Sequence, residues 1–170
     1  MTKTEIFVGI VLGSASDWEA VEPAAALLRK WNIGVEVTVA SAHRSPGRVE
    51  VYAREAALRG LKVIIAAAGA AAHLAGVIAS HTTLPVIGIP LPSSPLQGLD
   101  SLLAMVQMPA GVPVATMALG TAGAKNAAIF AAQILALGDP RIAEILRQHK
   151  QELAEGVVRQ SEMIPPEYRK

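Results

Sequence analysis

The sequence predicts an α/β protein, a three-layer sandwich in which helices cover both faces of a parallel sheet. Two observations carry this prediction. Short β-branched runs alternate with longer stretches of helical spacing along most of the chain, the pattern of right-handed βαβ units. The 170 residues are 52% hydrophobic and only 17% charged, which suits one well-packed domain and excludes disorder. No repeat, linker or low-complexity tract marks a second unit, so residues 1–170 are read as a single domain.

The elements follow in order. Ile6–Leu12 reads as a buried strand, which accounts for the apolar run near the start better than a signal peptide does. Ser16 to about Trp31 is a helix, and Ser16-Asp17-Trp18-Glu19 has the form of a capping box with Ser16 as N-cap. Val35–Val39 is the second strand. A helix from Pro46 to about Arg59 follows, with Ser45 as N-cap and proline at the first helical position. Val63–Ala67 and Pro85–Ile89 are further strands. A short helix between them begins near His73 and ends near His81. Leu99–Val106 gives a helical turn or two, Val114–Met117 a fifth strand and Gly123–Leu137 an alanine-rich helix.

From Pro140 onward, Ile142, Ile145, Leu146, His149, Leu153 and Val157 make an apolar stripe at helical spacing. A helix over about 140–163 therefore needs an apolar partner, and a neighbouring subunit is preferred over the helix's own domain. The low charge points the same way, toward apolar surface covered by other copies of the chain. The tail at 165–170 is expected to be mobile.

Composition also limits function. Fifteen basic and fourteen acidic residues give a formal charge of +1, and no run of Lys and Arg offers the phosphate neutralisation of a nucleic-acid binder. There are no cysteines, which excludes disulfides, thiolate zinc sites and thiol catalysis and is compatible with a reducing cytoplasm. The most apolar stretch, Val63 to Ala79, is shorter than the roughly 20 residues of a bilayer span, so no membrane segment is expected. His81 and His149 lack partners at metal-ligand spacing, and no metal is expected.

In doubly wound sheets ligands bind beyond the carboxyl ends of the strands, near the point where strand order reverses. The chemistry should therefore lie in three loops. Gly13-Ser14-Ala15-Ser16-Asp17 is a glycine turn entering a helix N-terminus, suited to phosphate but neither a dinucleotide fingerprint nor a Walker loop. Its capping box explains Ser16, leaving Ser14 without a capping role and Asp17 with only a dipole-stabilising one. Ser41-Ala42-His43-Arg44 sets a proton carrier beside an anion clamp; the alternative is a solvated surface pair. Ala66 to Leu74 surrounds Gly69 with small residues, which either let a ligand approach the backbone or serve helix–sheet packing. Gly120-Thr121-Ala122-Gly123-Ala124-Lys125-Asn126 only approximates a P-loop and is set aside.

Taken together these segments resemble the PurE family of purine biosynthesis. The resemblance rests on Gly-Ser-x-Ser-Asp-Trp at 13–18, Ser-Ala-His-Arg at 41–44 and Ala-Ala-His-Leu at 71–74. It extends through Leu-Gln-Gly-Leu-Asp-Ser-Leu at 96–102, Gln-Met-Pro-x-Gly-Val-Pro-Val at 107–114 and Gly-Ala-Lys-Asn-Ala at 123–127. The pair at 96–102 and 107–109 is similar to class I, the N(5)-carboxyaminoimidazole ribonucleotide mutases. The resemblance implies a flavodoxin-like sheet, a cytoplasmic homo-octamer whose sites are completed by neighbouring subunits, and a small ribonucleotide substrate. It further implies migration of a carboxylate from an exocyclic nitrogen to a ring carbon without ATP, metal or organic cofactor.

Position by position, His43 matches the catalytic histidine, and Ser14, Asp17 and Arg44 match substrate-binding residues. Ser16 and Ser41 match further positions lining the site, and Gly69 and His73 match the loop around the migrating carboxylate. One loop departs from the family pattern: Ala67 and Ala70 stand where glycine is usual and Ala75 where proline is usual. Alanine strains a backbone that needs positive φ. Two rivals remain at this stage, a carboxylase of the same fold that uses free carbon dioxide, and a non-catalytic module for a phosphate ligand or flavin.

Overall fold

The computed structural model describes residues 6–169; residues 1–5, and Lys170 at the end of the tail expected to be mobile, lie outside the described residues. Its strands are β1 (Ile6–Leu12), β2 (Gly34–Val39), β3 (Val63–Gly69), β4 (Val86–Leu91) and β5 (Ala115–Thr116). Its helices are α1 (Trp18–Lys30), α2 (Pro46–Ala56), α3 (Leu74–His81), α4 (Leu99–Val106), α5 (Gly120–Ala136) and α6 (Pro140–Ser161). All strand pairs are parallel and the order is β2-β1-β3-β4-β5, a flavodoxin-like arrangement.

The period-2 alternation of strand side chains divides the core in two. Val8, Ile10 and Leu12 of β1, with Val63, Ile65 and Ala67 of β3, pack beneath α1 and α5. Val11, Ile64, Ala66 and Ala68 face the opposite layer, which α2 and α3 cover. Every residue of β3 from Val63 to Ala68 is buried, as expected of a strand covered on both sides. On α5 the packing surface is Ala124, Ala127, Ala128, Ala131 and Ala132, all fully buried. Such small side chains let the helix lie close to the sheet and to α1.

The element boundaries differ from the sequence expectation at several ends, where caps and turns override the apolar pattern. β3 runs on to Gly69 and α5 begins at Gly120, three residues earlier than its apolar face. Helix α2 stops at Ala56, and β5 is only two residues long. α6 starts with Asp139 accepting from the Arg141 N–H and Pro140 at its first position. Beyond its end, Arg169 donates to the carbonyls of Glu162 and Ile164, so the described part of the tail folds back in a short turn at Pro166–Tyr168.

The stripe on α6 divides into two parts. Ile142 is buried, Ile145 and Leu146 pack on the chain's own core, and His149 meets Trp31 edge-on at 5.2 Å. Leu153, Val157 and Val158 further along remain 56–67% exposed. α4 leaves a second bare apolar face at Leu99, Leu103 and Val106.

Candidate functional site

The parallel register aligns the carboxyl ends of β2, β1, β3 and β4 so that their following loops meet. Gly13 N–H donates to the Ala67 carbonyl at 3.0 Å, and Ala40 N–H to the Leu12 carbonyl at 2.9 Å. These bonds carry the ladder to the last residue before each loop. Between the loops lies a cleft of about 460 Å³.

The β1 loop folds differently from the sequence expectation. Its capping box lies two residues earlier. The Ser14 side chain accepts from the following turn, and the Asp17 carboxylate accepts from Ser14 N–H at 2.9 Å. A 3-10 turn at Ala15–Asp17 intervenes before α1, which is why the register shifted. Ser16 is not the N-cap; its hydroxyl meets the Ser14 hydroxyl at 2.8 Å. Ser14 and Asp17 therefore have a structural role and face the cleft as well. Partial burial raises the Asp17 carboxyl above its ordinary value, while the Ser14 N–H and the Arg44 charge oppose that rise.

The β2 loop is knitted in the same way. Ser45 does not cap α2 with its side chain; its hydroxyl turns back to the Ser41 carbonyl and accepts from Ser41 N–H at 3.0 Å. The Ser41 hydroxyl in turn accepts from Arg44 N–H at 3.2 Å. Arg44 reaches across to the β1 loop, its Nη2 donating to the Gly13 carbonyl at 3.0 Å. The guanidinium is thus tied to both loops at the cleft, with N–H donors left over.

His43 lines the cleft, and its Nε2 lies 2.9 Å from Nδ1 of His73. The rings are T-shaped, with centroids 5.1 Å apart. One ring must donate and the other accept. His73 is outside the set of residues lining the cleft and touches it through this partner. Ser14, Ser16, Asp17, Ser41, Arg44 and Gly69 line it directly.

The β3 loop supplies a wall of Ala68, Gly69, Ala71 and Leu74. Ala70 adopts φ +51, a left-handed conformation that alanine adopts at a cost of roughly 1–2 kcal/mol. The strain anticipated for this loop thus falls on Ala70. Ala67 lies fully buried in β3 and Ala75 fully buried in the first turn of α3, both without positive φ. After Ala70 the chain turns sharply, with Ala72 N–H on the Ala70 carbonyl at 2.8 Å and His73 N–H on the Ala71 carbonyl at 2.9 Å.

One polar lining residue escaped the sequence reading, Ser93, which follows β4. The signal available was its position directly beyond the carboxyl end of a strand. Among the described residues no cluster of His, Asp or Glu could hold a metal ion, and no helix is long and apolar enough to cross a membrane.

The site so defined is that of a flavodoxin-like α/β protein whose switch point gathers an arginine, serine hydroxyls, a carboxylate and paired histidines around one cleft. The family model for AIR carboxylase matches residues 7–156, and the chain belongs to that family. Among its relatives is the N5-carboxyaminoimidazole ribonucleotide mutase of Pseudomonas aeruginosa, 53% identical over 151 residues, 89% of this chain and 93% of that protein. The mutase of the same name from Bacillus subtilis is 50% identical over 157 residues, 92% of this chain and 97% of the relative. The crystal structure of Treponema denticola PurE superposes with a TM-score of 0.84 at 28% identity, covering 93% of this chain and 98% of that one.

Proposed function

We propose that this chain is a purine-biosynthesis mutase that converts N(5)-carboxyaminoimidazole ribonucleotide to 4-carboxyaminoimidazole ribonucleotide. The observation that carries the reading is the division of the cleft: fixed hydroxyls and Arg44 on one side, small apolar residues on the other, and His43 as a lining residue held by His73. The function in the names of the two mutase relatives supports it. In this reading Arg44 and the donors at 14–16 anchor the ribose phosphate, and Asp17 accepts from ribose hydroxyls. Ser41 holds Arg44 in place, and the loop at Gly69 encloses the carboxylate.

The chemistry is a balanced isomerisation. The bond between the exocyclic nitrogen and the carboxylate carbon breaks, its electron pair stays on nitrogen, and His43 supplies the proton that makes the amine. Carbon dioxide is released against the small-residue wall, where poor solvation disfavours the charge concentrated on the carbamate oxygens and favours its dispersal as the bond breaks. The electron-rich ring carbon attacks it before it diffuses away, a proximity effect. His43 then removes the proton from that carbon, restoring the aromatic ring and its own starting state.

The test uses the carboxylated product in reverse. Wild type should consume 4-carboxyaminoimidazole ribonucleotide, read from its ultraviolet spectrum, whereas His43→Asn should be inactive and still bind. Turnover surviving in that variant would remove His43 from the chemistry. Efficient carboxylation of aminoimidazole ribonucleotide with bicarbonate would favour the carboxylase instead.

A homo-octamer in the cytoplasm, with the far half of α6 packed on a neighbouring subunit, belongs to the same proposal. The bare faces at Leu153, Val157 and Val158 and at Leu99, Leu103 and Val106 support it. Light scattering tests the mass, and cell fractionation the compartment.

A further inference from the structure

The polar side chains of the cleft are unevenly spent. Ser14 and Ser16 bond each other, Asp17 accepts from Ser14 N–H, Ser41 accepts from Arg44, and His43 is joined to His73. The wall made by the β3 loop is apolar. Ser93 enters beside that wall. It is exposed, and its hydroxyl makes no hydrogen bond to any other described residue. Its place depends on Gly69: a Cβ built there would lie 1.7 Å from Ser93 Oγ and 3.0 Å from Ser93 Cβ. Gly69 has no positive φ, so the requirement at that position is space for Ser93.

We propose that Ser93 is a specificity-determining residue whose hydroxyl donates to a carboxylate oxygen of the bound ribonucleotide, fixing the plane of the group that migrates. This inference rests on the mutase reading above and names the contact for its one-carbon group. A single neutral donor suits the task. It orients the carboxylate, yet gives it far less stabilisation than a cation would. The group remains ready to leave nitrogen as carbon dioxide, and the same hydroxyl holds the freed molecule beside the ring carbon. Ser93 is a positioning contact and transfers no proton.

The experiment compares Ser93→Ala with wild type in binding two ligands that differ only by the carboxylate. The expected result is about tenfold weaker binding of 4-carboxyaminoimidazole ribonucleotide, with aminoimidazole ribonucleotide bound within twofold of wild type. In the same variant more of the reverse reaction should end as released carbon dioxide, with kcat falling more than KM rises. Ser93→Thr, which keeps the hydroxyl, should restore the preference for the carboxylated ligand. Equal loss for both ligands, or no loss for either, overturns the assignment. If wild type itself neither binds nor turns over the carboxylated ligand, the mutase reading fails first, and Ser93 as a carboxylate contact fails with it.

Discussion

Ala70 offers a direct measurement of how much strain the β3 loop carries. With φ at +51 its methyl group costs roughly 1–2 kcal/mol relative to glycine. Replacing it by glycine also frees the unfolded chain, which costs about 0.4–1 kcal/mol. Ala70 is exposed, so little packing is lost. The net expectation for Ala70→Gly is a gain of about 0.5–1 kcal/mol, or an increase in Tm of about 1–4 °C for a chain of this size. Ala71, one residue later and also exposed, has no positive φ. Ala71→Gly therefore carries the unfolded-state cost without the relief and should lower Tm. Paired thermal melts at one protein concentration decide the matter. Opposite signs support the strain; if Ala70→Gly loses stability as Ala71→Gly does, the reasoning is wrong.

Other outcomes follow from the same geometry. Gly69→Ala must displace Ser93 and crowd the Leu91 carbonyl at 3.2 Å, so it should destabilise by about 1–3 kcal/mol in a denaturant titration. Arg44→Gln removes the cation that opposes the burial of Asp17, so the Asp17 carboxyl should titrate still higher, as read by carbon-detected NMR. Because its folded-state value is already raised, the Asp17 contribution to stability is fully present below the ordinary carboxylate pKa. It is lost as pH rises through the folded value, so Asp17→Asn should gain on wild type as pH rises through that window. His73→Phe removes the partner of His43 and should lower kcat about tenfold or more with KM little changed, in steady-state assays. Val157→Lys places a charge on the bare face of α6 and should reduce the mass seen by light scattering while circular dichroism stays unchanged.

The sheet was legible because β-branched runs spaced by helical stretches leave little choice of architecture, and five strands stand in nearly the expected places. The helix starts were less legible. Ser14, Ser16, Ser41 and Ser45 are all competent caps, and sequence alone does not say which hydroxyl turns toward which backbone. Ser16 and Ser45 were assigned caps that their side chains do not make. Ala70 could be suspected but not located in φ, because its conformation depends on the turn before His73. Ser93 was missed because a lone serine in Pro92-Ser93-Ser94-Pro95 looks like any loop. Its importance comes from Gly69, 24 positions earlier in sequence and in contact only after β3 and β4 pair.

In the mutase reading proposed above, the join between His43 and His73 would make the two rings a short proton wire. With Nε2 of His43 engaged by His73, its Nδ1 is the ring nitrogen without a hydrogen-bond partner among the described residues. In the tautomer where Nε2 of His43 donates, a proton taken at Nδ1 need not stay, because the one on Nε2 can pass along the 2.9 Å contact to His73. The positive charge then sits one ring further from the reacting carbon, while His43 is neutral again. Run backwards, the same transfer returns an acid to the cleft. In that reading two imidazoles in series lend and recover one proton without exchanging it with solvent.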